Sequence, residues 1–127
     1  RKESTAQLLF FAVSSFCCEI NNIDLSRETN NGRGPVDFKL SRGSADKVLV
    51  EVKLTSNKKL KHGIASQLPI YMAQEHVQKA IYLIVDTEYP KAPKNFEDYY
   101  QSLSSETKNK ITYYVIDATQ KPSASKA

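Results

Sequence analysis

Three ionisable residues stand where two β-strands would be better served by Val or Ile. Asp37 opens D-F-K-L behind Gly34-Pro35-Val36, and Glu51 and Lys53 interrupt V-L-V-E-V-K-L, residues 48 to 54. Side chains alternate faces along a strand, so Glu51 and Lys53 point one way while Val48, Val50, Val52 and Leu54 point the other. The spacing from Asp37 to Glu51 fits one tight hairpin, which brings Asp37 within reach of the pair. Two carboxylates converging beside an ammonium have a plain use. A hard divalent cation such as Mg²⁺ takes oxygen ligands, keeps several waters and needs only one or two carboxylates from the protein. The carbonyl of Val52 adds a further oxygen. A lysine at the edge of such a site orients or deprotonates a water, or stabilises negative charge developing on a phosphodiester. The competing reading is a solvated cross-strand Glu-x-Lys pair, an ordinary feature of sheets.

The elements that must position these residues follow from periodicity and turn chemistry. Residues 4–21 predict a helix, capped by Ser4 or Thr5 and ended by Asn21-Asn22; being apolar around most of its circumference, it is expected to be heavily buried. Residues 23–29 alternate as a short strand, and N-N-G-R-G-P is a turn. Residues 36–42 and 47–55 are the next two strands, joined through Gly43, Ser44 and Ala45. A helix is expected over 58–77, a buried strand over 79–86, a helix over 95–108 and a last strand over 110–117. The order α-β-β-β-α-β-α-β implies an antiparallel meander followed by a parallel neighbour across the crossover helix, hence one α/β domain with a mixed sheet flanked by helices.

The helix after the second charged strand carries its own signal. Gln67 and Tyr71 lie four positions apart and share a face with the stripe of Leu60, Ile64 and Leu68. A glutamine turned toward a sheet must find a partner or bear the cost of burial. Pro69 between them breaks a local rule, because an interior proline removes a helix hydrogen bond and bends the axis. Ahead of them, Lys58, Lys59, Lys61 and His62 crowd a helix N-terminus, where the dipole disfavours cations. Such charge suits a phosphate backbone, and Arg33 in the preceding turn and Arg42 at the end of the 36–42 strand are assigned with the three lysines as nucleic-acid contacts; a solvated lysine-rich turn is the alternative. His62 stands too much alone to be a ligand.

The totals agree with one domain. The chain has 127 residues, 40% hydrophobic and 25% charged, with a formal net charge of +4. That is globular composition with a mild basic excess suited to polyanions. A single domain over 1–119 with a disordered tail over 120–127 is expected. Cys17 and Cys18 are adjacent and fit neither a disulfide framework nor a zinc spacing, so reduced thiols in a cytoplasmic protein are expected. The stretch from Leu8 to Cys18 is too short for a bilayer, so no membrane partner is expected. The opening Arg1 suggests a domain cut from a longer, multidomain protein.

Taken together, these residues resemble the PD-(D/E)XK nuclease superfamily. Gly34-Pro35-Val36-Asp37 matches its first acidic motif, with Val36 inserted between the proline and the aspartate. Glu51-Val52-Lys53 matches its (D/E)-x-K motif, and Gln67-Leu68-Pro69-Ile70-Tyr71 matches the Q-x-x-x-Y signature of its RecB-like branch. The resemblance spans about residues 3 to 86. It implies a restriction-endonuclease-like αβββαβ core and a Mg²⁺-dependent nuclease, with Mn²⁺ able to substitute and DNA favoured over RNA. By resemblance Asp37 and Glu51 bind the metal, Lys53 assists the attacking water, and Gln67 with Tyr71 supports the site and the strand being cut. Many members add an acid on the first helix; Glu3 is preferred here over Glu19. The proline inside Q-x-x-x-Y departs from the pattern and bears on the helix geometry. The alternative function is a non-catalytic nucleic-acid-binding module on the same scaffold.

Overall fold

A computed structural model of the chain describes residues 2–27, 37–43, 46–87 and 92–118. The turn around Arg33, the Gly34-Pro35-Val36 segment, Ser44-Ala45 and the expected tail over 120–127 lie outside the described residues. The elements run α1 (Lys2–Ile20), β1 (Asp24–Arg27), β2 (Phe38–Arg42), β3 (Asp46–Leu54), α2 (Leu60–His62), a π-helical turn (Gly63–Gln67), α3 (Leu68–Glu75), β4 (Lys79–Asp86), α4 (Ala92–Gln101), α5 (Ser105–Lys110) and β5 (Ile111–Asp117). The strands form one sheet in the order β1-β2-β3-β4-β5. β1, β2 and β3 pair antiparallel, while β3, β4 and β5 pair parallel. This is the mixed α/β sheet flanked by helices that the element order implies.

Each face of the sheet buries its own cluster. On one, Phe38, Val50, Val52, Leu54, Leu83 and Val85 pack with Ala6, Phe10 and Phe11 of α1. On the other, Leu49, Ala80, Tyr82, Ile84 and Ile111 pack with Ile64, Leu68 and Met72 and with Phe96 of α4. The even-numbered valines and Leu54 of β3 therefore face α1, and Leu49, Glu51 and Lys53 face the α2–α3 side, as strand alternation requires.

Four local expectations need correction. The first helix is not buried all round: Leu8 and Leu9 are 52% and 65% exposed, because the sheet meets α1 along one side only. The helix expected over 58–77 begins at Leu60, and Lys58 and Lys59 belong to the preceding turn. It ends at Glu75, where His76 turns left-handed and its N–H bonds the Ala73 carbonyl. The helix expected over 95–108 is two helices. Ser104 breaks it by capping α5, its Oγ accepting the Thr107 N–H at 3.2 Å.

Pro69 explains the π turn. As an interior helical residue it lacks an N–H, and its ring would press on the carbonyl four residues back. Here the turn before it widens, so that the Leu68 N–H reaches the Gly63 carbonyl five residues back. Pro69 then sits in the first turn of α3, where its missing donor matters little.

The β5 end of the sheet is tied to α4 by tyrosines. Tyr113 packs on Phe96 and Tyr100 with ring centroids 4.9 and 4.8 Å apart, and its hydroxyl donates to Glu97. That bond, then one from Gln101, holds the Glu97 carboxyl below its ordinary value. Burial, and then the same bond, push the Tyr113 phenol up. A carboxylate with a depressed folded value adds stability above its unfolded value and loses it as pH falls through the folded one. Tyr113→Phe is expected to raise the Glu97 value toward normal, read by NMR titration of its side chain; an unmoved titration curve would refute the coupling.

Candidate active site

The Glu51–Lys53 pair lies at the end of β3 toward which β3, β4 and β5 all run, and Asp37 is bonded to the Val52 backbone between them. Asp37 lies one residue before β2 rather than inside it, with its N–H bonded to the Val50 carbonyl at 3.1 Å. Each oxygen of its carboxylate accepts a hydrogen bond. The Val52 N–H donates to Oδ2 at 2.7 Å, and Gln7 Nε2 of α1 donates to Oδ1 at 2.8 Å. In a strand the N–H and C=O of one residue point to the same side. The Val52 carbonyl therefore faces the side on which Asp37 stands, past the point where β2 begins.

Glu51 and Lys53 occupy the opposite face from Val52 and meet each other. Lys53 Nζ lies 2.9 Å from Glu51 Oε2, with side-chain exposures of 12% and 5%. Removing two charges from water is expensive, and well-packed apolar residues would serve a sheet at least as well. A buried ion pair at a strand end is therefore poorly explained by stability.

Helix α2 and the π turn hold Lys53 from above. A Cβ placed on Gly63 would come within 3.4 Å of Lys53 Cε and would collide with the hydroxyl of Tyr82. Tyr82, opposite Glu51 in the β3–β4 register and fully buried, donates that hydroxyl to the Leu60 carbonyl at 2.7 Å. Gly63 is thus the close approach that lets the helix start sit down on the lysine stem. Gln67 closes the π turn and Tyr71 follows one turn later. Both are half-buried on the helix covering the Glu51–Lys53 face, with Tyr71 packed on its core.

The assigned nucleic-acid residues do not all gather here. Lys58, Lys59, Lys61 and His62 are exposed around the start of α2. Lys61 is partly engaged, its Nζ 5.2 Å from the centre of the Tyr99 ring. Arg42 is a correction: the β2–β3 register sets it opposite Asp46, at the far end of β3 from Glu51, and it donates to the Asn21 carbonyl. Five residues of strand separate those ends by about 16 Å. Arg33 lies outside the described residues. Glu3 and Glu19 fall in α1, and their side chains are outside those described.

Several participants escaped sequence reasoning. Gln7 is one, because a glutamine on an amphipathic helix carries no signal until the helix is docked. A second polar group lies beside the cluster on the same face. Thr55 Oγ1 donates to Asp86 Oδ1 at 3.3 Å and accepts the Thr87 N–H at 3.1 Å, with Asp86 only 5% exposed. The signal for Asp86 was its place at the polar end of an apolar strand.

Among the described residues no group of three or more His, Cys, Asp or Glu side chains is placed to hold a metal ion. A site here would rest on two carboxylates and a backbone carbonyl. Among the same residues no helix is long and apolar enough to cross a membrane.

The fold and the charged strand ends define an α/β domain with a polar site at the end of a mixed sheet. The chain belongs to the family described as a domain of unknown function, DUF8371, whose model matches residues 1–89. The match takes in Asp37, Glu51, Lys53, Gln67 and Tyr71 and stops before α4, α5 and β5. No curated protein and no solved structure matches the chain.

Proposed function

We propose that the chain is a metal-dependent phosphodiesterase acting on nucleic acid, DNA in preference to RNA, with a PD-(D/E)XK-type core. The observation that carries this reading is the Val52 N–H bond to Asp37, which brings the hairpin's first acid onto the Glu51-Val52-Lys53 segment. The Val52 N–H and Gln7 orient the Asp37 carboxylate, which would serve as one ligand of the ion. Asp37, Glu51 and the Val52 carbonyl are all hard oxygens suited to Mg²⁺ or Mn²⁺. Bound there, the ion would act as a Lewis acid on a phosphoryl oxygen and lower the pKa of a bound water. The residues do the rest. Gln7 and the Val52 amide fix the Asp37 carboxylate. Glu51 holds the Lys53 ammonium at the site, where it orients the attacking water and offsets charge gathering on the phosphate. Gln67 and Tyr71 line the approach from the helix side, and Lys58 and Lys59 contact the backbone of the strand.

The test is cleavage of linear and circular, single- and double-stranded substrates with Mn²⁺ or Mg²⁺. Wild type is expected to cut, and EDTA to stop it. Asp37→Ala and Glu51→Ala are expected to lose about 10³-fold, the equivalent of the several kcal/mol that metal catalysis supplies. Gln7→Leu keeps the ligands but frees the Asp37 carboxylate to rotate. A loss of about 10- to 100-fold in metal affinity is expected, as for outer-shell partners generally. Salt-sensitive binding without any cleavage would replace this reading with the non-catalytic binding module.

A further inference from the structure

The two edges of the sheet are built differently. β1 is four residues long and carries Asp24 and Arg27, the charged and short form that discourages pairing with another chain. β5 is seven residues long, and from Ile111 to Ile116 it holds neither a charge nor a proline. Tyr114, Val115 and Ile116 are 55%, 37% and 46% exposed. Among the described residues no strand pairs with its outer side.

The backbone register says which groups are on offer. The Ala118 N–H bonds the Asp86 carbonyl of β4 at 2.8 Å, so the even-numbered residues of β5 turn their backbone inward. Tyr113 and Val115 turn theirs outward, whereas Ile111 at the strand start gives its N–H to the Thr107 carbonyl and accepts the Tyr100 hydroxyl on its own carbonyl at 2.7 Å. We propose that this edge is a self-association surface, on which β5 of a second copy pairs antiparallel about a twofold axis at Tyr114. In that register Tyr113 exchanges hydrogen bonds with Val115 of the other copy, and the reverse. Tyr114 meets its own counterpart as a close pair, and exposed Ile116 lies across from Thr112. The pairing also brings Lys110, the residue before one strand, near Asp117 at the end of the other. A second copy is thus complementary in hydrogen bonding, apolar contact and charge at once. The axis is normal to the joined sheet, so the two Asp37–Glu51–Lys53 ends point in opposite directions.

Sedimentation of the full chain over a concentration series tests this. Wild type is expected at twice the 14.3 kDa chain mass. Val115→Pro removes an outward donor and leaves the β4 ladder intact, and it is expected at the single-chain mass with an unchanged circular dichroism spectrum. Tyr114→Lys and Tyr114→Glu guard against misfolding of the proline variant. Each is expected to be monomeric alone, and the two to form a mixed dimer on mixing, because residue 114 faces itself across the axis. A monomeric wild type would overturn the proposal, as would a dimer indifferent to Val115→Pro, or lysine and glutamate variants that do not restore pairing together.

Discussion

Replacing Lys53 by Met is expected to destabilise the fold by about 3–5 kcal/mol, the usual consequence of removing one partner from a buried ion pair. Glu51 is 4% exposed and its Oε2 lies 2.9 Å from the ammonium. Without that charge the carboxylate remains among Tyr82 and the helix start with far less to offset its desolvation. The double variant Glu51→Gln with Lys53→Met removes both charges and is expected to lie near wild type, or above it by about 1–4 kcal/mol. Urea unfolding of the singles and the double separates the two effects through the double-mutant cycle. A Lys53→Met variant as stable as the double would mean that the pair is not the neutralising unit. The cycle connects to function as well. If a divalent cation binds beside Glu51, it supplies the missing positive charge, so Mn²⁺ should raise the thermal midpoint of Lys53→Met more than that of wild type.

Gly63→Ala is the second large effect. The new Cβ would run into the Tyr82 hydroxyl and come close to Lys53 Cε. Tyr82 cannot retreat cheaply, since it is fully buried between β4 and the helices, stacks on Phe96 and donates to Leu60. Overpacking of this kind costs about 1–3 kcal/mol. In a Tyr82→Phe background the colliding oxygen is gone, so the added methyl should cost clearly less, although the Tyr82 ring carbon at 3.3 Å still crowds it. Equal cost in both backgrounds, measured by denaturant unfolding, would place the strain elsewhere. Because the same shift lifts the helix start off the lysine stem, the proposed cleavage, where wild type shows it, should fall in Gly63→Ala even if the protein remains folded.

Reading the chain residue by residue reached far for the elements and less far for their joins. The alternation in V-L-V-E-V-K-L told both faces of β3 correctly, since period two leaves no other choice. The element order was enough for the meander and the parallel crossover. Pro69 was recognisable as a broken rule, but its remedy was not. Whether a helix kinks, ends or widens at a proline depends on what the turn packs against, and here it packs against Tyr82 and Lys53. Ser104 looked like one more polar residue until its side chain capped α5. Arg42 seemed to belong with the basic residues, and only the β2–β3 register carried it to the opposite end of the sheet.

Local chemistry, then, was written into the chain itself: which residues alternate, where acids interrupt valines, and where helices start and stop to within a few positions. These follow from short-range sterics and hydrogen bonding among neighbours in sequence. The meeting of Asp37 with Val52, the grip of Gln7 on that carboxylate, the seating of Gly63 over Lys53 and the open edge of β5 were decided in three dimensions. Each joins residues far apart in the chain, whose approach is set by how whole elements pack and not by any preference the individual residues carry.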